Sequence, residues 1–332
     1  MTMAQKEKQY FRTYFEEIST TMGLVGDVKE GSVAMEIGAP SLTDLKICTD
    51  LLSKATQHRL SSETGHLFQY GCTQGDSKFV KEMTKFLTEK YGDEVDSDDI
   101  LVTGGATSGL YYMTTLLFNR GDIVFVEDPT YFLAINMLRD DLELQVVPVP
   151  TTSEGLELEV LDKLLTDYRL KSKHVVTEKQ PYWTMLYTVP TFNNPKGKCL
   201  PAEKCKKLVE IARRRDIFVV CDDVYNLLSY IPNDKPGENL LPAPMRLFAY
   251  DKKQDVDYKG NVVSNCSFSK ILGPGMRIGW LEAPQRLLNI LRFSGLMCGG
   301  GGFNNYTSGI IASVLETGMM SQHILYLQEK YK

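Results

Sequence analysis

The sequence predicts an α/β fold: a mostly parallel sheet of seven strands with helices on both faces. Three observations carry this. From about residue 99 onward, apolar runs alternate with segments of helical spacing, the pattern of βαβ units. The runs are continuous rather than alternating in and out, as in strands covered on both faces. Glycine, proline, asparagine or aspartate punctuates the ends of the runs, where strands pass into loops or helices.

The elements follow in order. The first 19 residues, "MTMAQKEKQYFRTYFEEIS", are charged throughout and read as an amphipathic helix, not as a secretory signal. "ILVTGG" is a short β run into a glycine turn, and "ATSGLYYMTTLLF" after it has helical spacing. "DIVFVEDP" is a strand followed by the helix "TYFLAINML". "LQVVPV" is a strand and "ELEVLDKLLTDY" a helix. "WTMLYTVP" is a strand, "PAEKCKKLVEIARRRD" a helix and "IFVVCDD" a strand. "NVVSNCSFS" and "RIGWLEAP" complete the strands, and helical segments fill the chain from residue 285 to its last residue. The expected organisation is an N-terminal segment over 1–40, a major domain over 41–300, and helices over 301–332 leading into a smaller domain.

Composition narrows the function classes. The chain has 332 residues, 43% hydrophobic and 24% charged, enough for a sizeable core. A formal net charge of −5 gives no electrostatic footprint for nucleic acid or an anionic membrane. The seven cysteines are scattered, odd in number and without a C-x-x-C pair, and the four histidines do not cluster with them. No zinc site is expected, and a reducing, cytoplasmic setting is. No stretch approaches the apolar length of a membrane span.

In open α/β sheets, ligands gather at the carboxyl ends of the strands, and the chemistry-bearing residues fall there. "TGGATSG" (103–109) joins a strand to a helix, an N-terminus suited to a phosphate. Taken alone it is equally an ordinary turn. Asp222 ends the run "IFVVC", where a carboxylate is costly unless it meets a cation or a strong donor; the plain alternative is a helix cap. "PTFNNPKG" (190–197) is a turn by composition, with an asparagine amide available to a ligand. Lys270 follows "VVSNCSFS" and precedes a Gly-Pro-Gly turn. Partial desolvation and the nearby Arg277 would lower its pKa and make it a nucleophile toward a carbonyl.

Together these residues are the set that pyridoxal 5′-phosphate requires: an imine-forming lysine, an acid for the ring nitrogen, and donors for the phosphate. "SFSKILGPGMRIGW" (267–280), with "GGATSGL", "EDPTYF", "FNNPKG" and "CDDVY" in that order, resembles the fold-type I aminotransferases of classes I and II. The resemblance runs from about residue 36 to the last residue, and within the family the motifs look most like the α-aminoadipate and kynurenine aminotransferase branch. It implies that Lys270, Asp222 and Tyr225 are catalytic. Lys270 would bind the cofactor and shuttle the substrate α-proton, Asp222 would pair with the pyridinium nitrogen, and Tyr225 and Asn194 would contact the phenolic oxygen. Tyr131 would stack on the ring. Ala106, Thr107, Ser267, Ser269 and Arg277 would hold the phosphate. Tyr70, in "FQYGCTQG", would reach the phosphate of a neighbouring subunit, implying a homodimer. Gly38 and Asn194 would lie at the substrate. The implied reaction moves the amino group of an aromatic or 2-aminoadipate-type L-amino acid to a 2-oxo acid such as 2-oxoglutarate.

Family members normally continue into a small C-terminal domain with an arginine for the substrate carboxylate. No counterpart is found up to Lys332, so that domain is expected to be truncated here. Other readings remain open at this point: another reaction of the same cofactor, such as C–S lysis or cyclopropane formation, or a non-catalytic cofactor-binding regulator. A serine hydrolase reading of Ser267-x-x-Lys270 lacks its companion motifs.

Overall fold

A computed structural model describes residues 38–63, 65–230 and 243–332. The helix expected within the first 19 residues lies outside them. The chain divides into two compact units, Met1–Ile47 and Cys48–Lys332. In the described part of the first unit, Ser41 Oγ donates to Asp44 Oδ2 at 2.6 Å, as helix α1 (Leu42–Ser61) begins.

The second unit is built on one sheet of eight strands: β1 (Ile100–Thr103), β2 (Ile123–Asp128), β3 (Gln145–Thr152), β4 (Gly155–Leu156), β5 (Met185–Thr188), β6 (Phe218–Asp222), β7 (Val262–Ser267) and β8 (Gly279–Glu282). Their order across the sheet is β1-β8-β7-β6-β5-β2-β3-β4. The seven long strands are those expected from the sequence. The addition is β4, two residues that pair antiparallel with the edge strand β3 and are too short to leave a periodic signal.

The helices of this unit are α2 (Ser77–Tyr91), α3 (Ala106–Leu117), α4 (Phe132–Asn136), α5 (Leu158–Arg169), α6 (Ala202–Arg215), α7 (Gln285–Arg292), α8 (Gly295–Gly300), α9 (Asn305–Glu316) and α10 (Met319–Tyr331). Both sheet faces are covered, which explains the continuous apolar runs. Val124 and Val126 of β2 pack with Leu110, Met113 and Leu117 of α3 and Leu287 and Leu291 of α7. Ile123 and Phe125 pack on the opposite face with Leu161 and Leu165 of α5 and Leu208 and Ile211 of α6. A strand exposes successive residues to opposite faces, so a two-sided core needs an apolar residue at every position. A third cluster joins Phe79, Met83 and Leu87 of α2 to Ile310, Ile311 and Val314 of α9 and Ile324 of α10. The helices of 301–332 thus belong to the same core as the sheet.

One direction in this sheet matters more than the rest. Strands β2, β3, β5, β6 and β7 run parallel, whereas β8 lies antiparallel between β1 and β7. Its amino end, Gly279, therefore pairs with the carboxyl-end residues Thr103 and Ser267. The residues just before β8, Arg277 among them, arrive at the edge where the parallel strands end. Gly279 itself has no room for a side chain: a Cβ there would overlap the Cys266 carbonyl oxygen and stand 2.9 Å from Gly105 Cα and 3.2 Å from Ser267 Cα. All three are backbone atoms that cannot swing aside. Gly279→Ala is expected to lower stability by about 1–3 kcal/mol through overpacking, read from urea unfolding midpoints. An unchanged midpoint would show that β7 and β8 can part without cost.

Candidate active site

Asp222 is the last residue of β6, a strand buried up to that point. Tyr187 of β5 pairs in register with Val220, two residues before Asp222 and on the same face. From there its hydroxyl donates to Asp222 Oδ2 at 2.5 Å. Asp222 Oδ1 is buried and has no hydrogen-bond partner among the described residues. Burial pushes the Asp222 carboxyl up to about 6, opposed by the Tyr187 hydrogen bond and by the Lys270 ammonium. Lys270 in turn has its pKa lowered by its own burial, with Asp222 opposing. A half-desolvated amine thus stands near a carboxylate with one oxygen uncommitted.

Two tyrosines border this pair. Tyr131 follows β2, and burial, together with Asp222 and Tyr225, pushes its hydroxyl up to about 12. Burial and Asp222 likewise raise Tyr225, while a hydrogen bond with the Asn194 side chain opposes the shift. Asn194 sits in the loop after β5. Strand ends β2, β5, β6 and β7 therefore deliver Tyr131, Asn194, Asp222, Tyr225 and Lys270 to one edge.

A second set of groups meets at the start of α3. Its N-cap, Gly105, has φ 101°, a conformation that glycine adopts readily. A Cβ there would lie 3.3 Å from Arg277 Nη2 and 3.6 Å from Ser267 Oγ. A backbone cradle, a guanidinium and a hydroxyl thus converge on the helix end whose first N–H groups lack intrahelical acceptors. Ser267 Oγ donates to Ser269 Oγ at 2.9 Å and accepts from Ser269 N at 3.1 Å. Arg277 is held at φ 48°, with Nη1 donating to Pro274 O at 3.0 Å. Asn265 Nδ2 donates to Ala106 O at 2.8 Å and fixes the first turn of α3 on β7. Thr107 is exposed on that turn.

Pyridoxal 5′-phosphate fits these residues on two independent counts. The unpartnered Asp222 Oδ1 is an acceptor for a protonated ring nitrogen, and the cradle at Gly105, Ser267 and Arg277 has the donors and charge for a phosphate.

Two further residues assigned from the sequence are exposed. Tyr70 has its side chain 78% exposed, and its backbone N–H donates to Gln69 Oε1 at 3.0 Å. Gly38 is exposed and belongs to the unit of residues 1–47. The next residue, Asp223, is only 3% exposed. Ser264 Oγ donates to it, and burial pushes it up to about 7.

Sequence reasoning missed Tyr187 and Glu127. Tyr187 lies inside an apolar run and looks like core. Glu127 is the last buried residue of β2 and is 4% exposed; the one available signal was a carboxylate directly after "IVFV", as costly there as Asp222 after "IFVVC".

Because folding raises the Asp222 pKa, the native cofactor-free protein binds the proton more tightly than the unfolded chain does. Stability from this residue is then lost as pH rises from the ordinary aspartate range through about 6. Asp222→Asn has no charge to bury. In the cofactor-free protein its stability relative to wild type should improve by about 1–3 kcal/mol between about pH 4 and about pH 8. Denaturant unfolding at the two pH values measures this, and a pH-independent difference would contradict it.

Comparison with known proteins agrees with the geometry. The family "Aminotransferase class I and II" matches residues 33–320. The chain is 30% identical over 319 residues to "Aromatic-amino-acid aminotransferase 1" of Thermococcus litoralis, covering 95% of this chain and 69% of that one. It is 29% identical over 235 residues to the mitochondrial "Kynurenine/alpha-aminoadipate aminotransferase" of Rattus norvegicus, covering 68% of this chain and 51% of that protein. Among solved structures, the kynurenine aminotransferase of Pyrococcus horikoshii, in complex with PMP, superposes with a TM-score of 0.75 at 26% identity, over 94% of this chain and 70% of that one.

Proposed function

The chain belongs to the class I and II aminotransferases, and on that premise we propose that it moves the amino group of an L-amino acid, of aromatic or 2-aminoadipate type, to a 2-oxo acid such as 2-oxoglutarate. The observation that carries the reading is the buried, unpartnered Asp222 Oδ1 beside the half-desolvated Lys270. The substrate class is supported by the relatives named for aromatic amino acids, kynurenine and aminoadipate.

Pyridoxal 5′-phosphate supplies an aldehyde and an electron-accepting ring. Lys270 would hold it through that aldehyde, burial lowering the pKa of its amine. Lys270 Nζ would take the substrate α-proton and return it. Asp222, oriented by Tyr187, would keep the ring nitrogen protonated. Asn194 and Tyr225 would meet the phenolic oxygen, and Tyr131 the ring face. The start of α3 at Ala106 and Thr107, with Ser267, Ser269 and Arg277, would hold the phosphate. Gly38 and Asn194 would border the substrate. The exposed Tyr70, with Phe68 at 69% exposure, is consistent with a second copy of the chain covering this surface and receiving Tyr70 at its own phosphate. Among the described residues no helix is long and apolar enough to cross a membrane.

Reconstituted protein is expected to be yellow, and borohydride reduction should fix the cofactor on Lys270, as read by peptide mapping. Lys270→Ala should lose both the adduct and amino transfer. An adduct on another lysine would overturn the assignment. A screen of aromatic amino acids, kynurenine and 2-aminoadipate against 2-oxoglutarate tests the substrate class; release of pyruvate and ammonia instead of amino transfer would place the reaction among the lyases of this cofactor.

A further inference from the structure

Glu127 ends the buried part of β2 with no bonded cation among the described residues. Thr188 Oγ1 donates to its Oε1 at 2.8 Å. Val189 N donates to Oε2 at 3.0 Å and Asn193 Nδ2 at 2.7 Å. All three donors lie on β5 or the loop after it. Three donors on two oxygens match a carboxylate, which only accepts.

Asn193 organises that loop. Its backbone N–H donates to Lys198 O at 2.8 Å, and its carbonyl accepts from Gly197 N at 2.5 Å. Its Oδ1 accepts from Lys196 N at 3.1 Å. The side chain is thus used at both ends, toward Lys196 and toward Glu127. The preceding Phe192 has φ 50°, a strained conformation for a residue with a side chain that its surroundings must hold. Lys196 Nζ donates to Thr151 O at 3.0 Å and to Thr151 Oγ1 at 2.5 Å, and Thr151 Oγ1 donates to Asp128 O at 2.7 Å. The loop is therefore fastened to the end of β2 at two points, and Glu127 is the buried one.

The residues on either side of this fastening are those assigned to the cofactor. Asn194 directly follows Asn193 and hydrogen-bonds Tyr225. Tyr131 lies four residues after Glu127 on the same strand end. We propose that Glu127 is a positioning residue which, by clamping Asn193, sets Asn194 and Tyr225 against the phenolic oxygen of the cofactor while fixing the strand end that carries Tyr131. This rests on the aminotransferase reading. Burial pushes the Glu127 carboxyl up to about 7, with its three hydrogen bonds and the Lys196 charge opposing. A fold that needed only shape here would do better with a neutral side chain.

Glu127→Gln keeps the shape but replaces one oxygen by an NH2 that faces other donors. Thr188→Val removes one donor and keeps the branched shape. In each, reconstituted with pyridoxal 5′-phosphate, the visible band of the cofactor held on Lys270 is titrated from acid to alkaline pH, and melting is followed with and without cofactor. Donors to the phenolic oxygen stabilise its anionic form and ease loss of the neighbouring proton. Loosening Asn194 and Tyr225 should then raise the spectral midpoint, by about 0.5–1 pH unit in Glu127→Gln and by less in Thr188→Val. A midpoint equal to wild type in a folded, cofactor-loaded Glu127→Gln, whatever its melting temperature, would leave Glu127 a structural role and overturn the proposal. If Glu127→Gln does not fold, Thr188→Val decides: an upward shift supports the clamp and an unchanged midpoint overturns it. A wild-type chain that takes up no cofactor overturns the aminotransferase reading and the proposal with it.

Discussion

A carboxylate held out of water with one oxygen unpartnered costs free energy, and the site is organised around that cost at Asp222. The strand behind it is buried, so solvent does not satisfy Oδ1. Tyr187 commits Oδ2, which fixes the rotation of the carboxyl group and leaves a single oxygen to receive a ligand. Lys270 shares the same low-dielectric edge, and the two charges moderate each other's desolvation. A cationic ring nitrogen bound at Oδ1 would relieve the penalty of burying that oxygen without a partner, which ties cofactor affinity to the stability of the strand end.

That edge exists because of strand direction. Five parallel strands deliver their loops to one side, and the antiparallel β8 adds its amino end to the same side. Arg277 can then meet Ser267 and Gly105, although Gly105 comes from a distant part of the chain. The close backbone approach at Gly279 is what this convergence requires. The cradle at Gly105 and the Asp222–Lys270 pair are thus two consequences of one sheet.

Much of this was legible in the sequence, because the relevant signals are local. Continuous apolar runs marked the seven long strands, and two of them lead directly into candidate site residues: Asp222 after "IFVVC" and Lys270 after "NCSFS". What was not legible depends on register. Tyr187 looks like any core tyrosine until the pairing with Val220 brings it to the face of Asp222. Glu127 gains its meaning only from donors some sixty residues away. Asp222 and the adjacent Asp223 meet different partners, Lys270 and Ser264 respectively. The reversed direction of β8 leaves no trace in "RIGWLEAP".

The central claim is that Asp222 Oδ1 and Lys270 Nζ mark the two ends of one bound ring. A crystal structure of the chain with pyridoxal 5′-phosphate tests it most directly. The account predicts the ring nitrogen within hydrogen-bonding distance of Asp222 Oδ1, a covalent bond at Lys270 Nζ, and the phosphate between the start of α3 and Arg277. A ring seated elsewhere, or one bound with Asp222 Oδ1 still unpartnered, would contradict it.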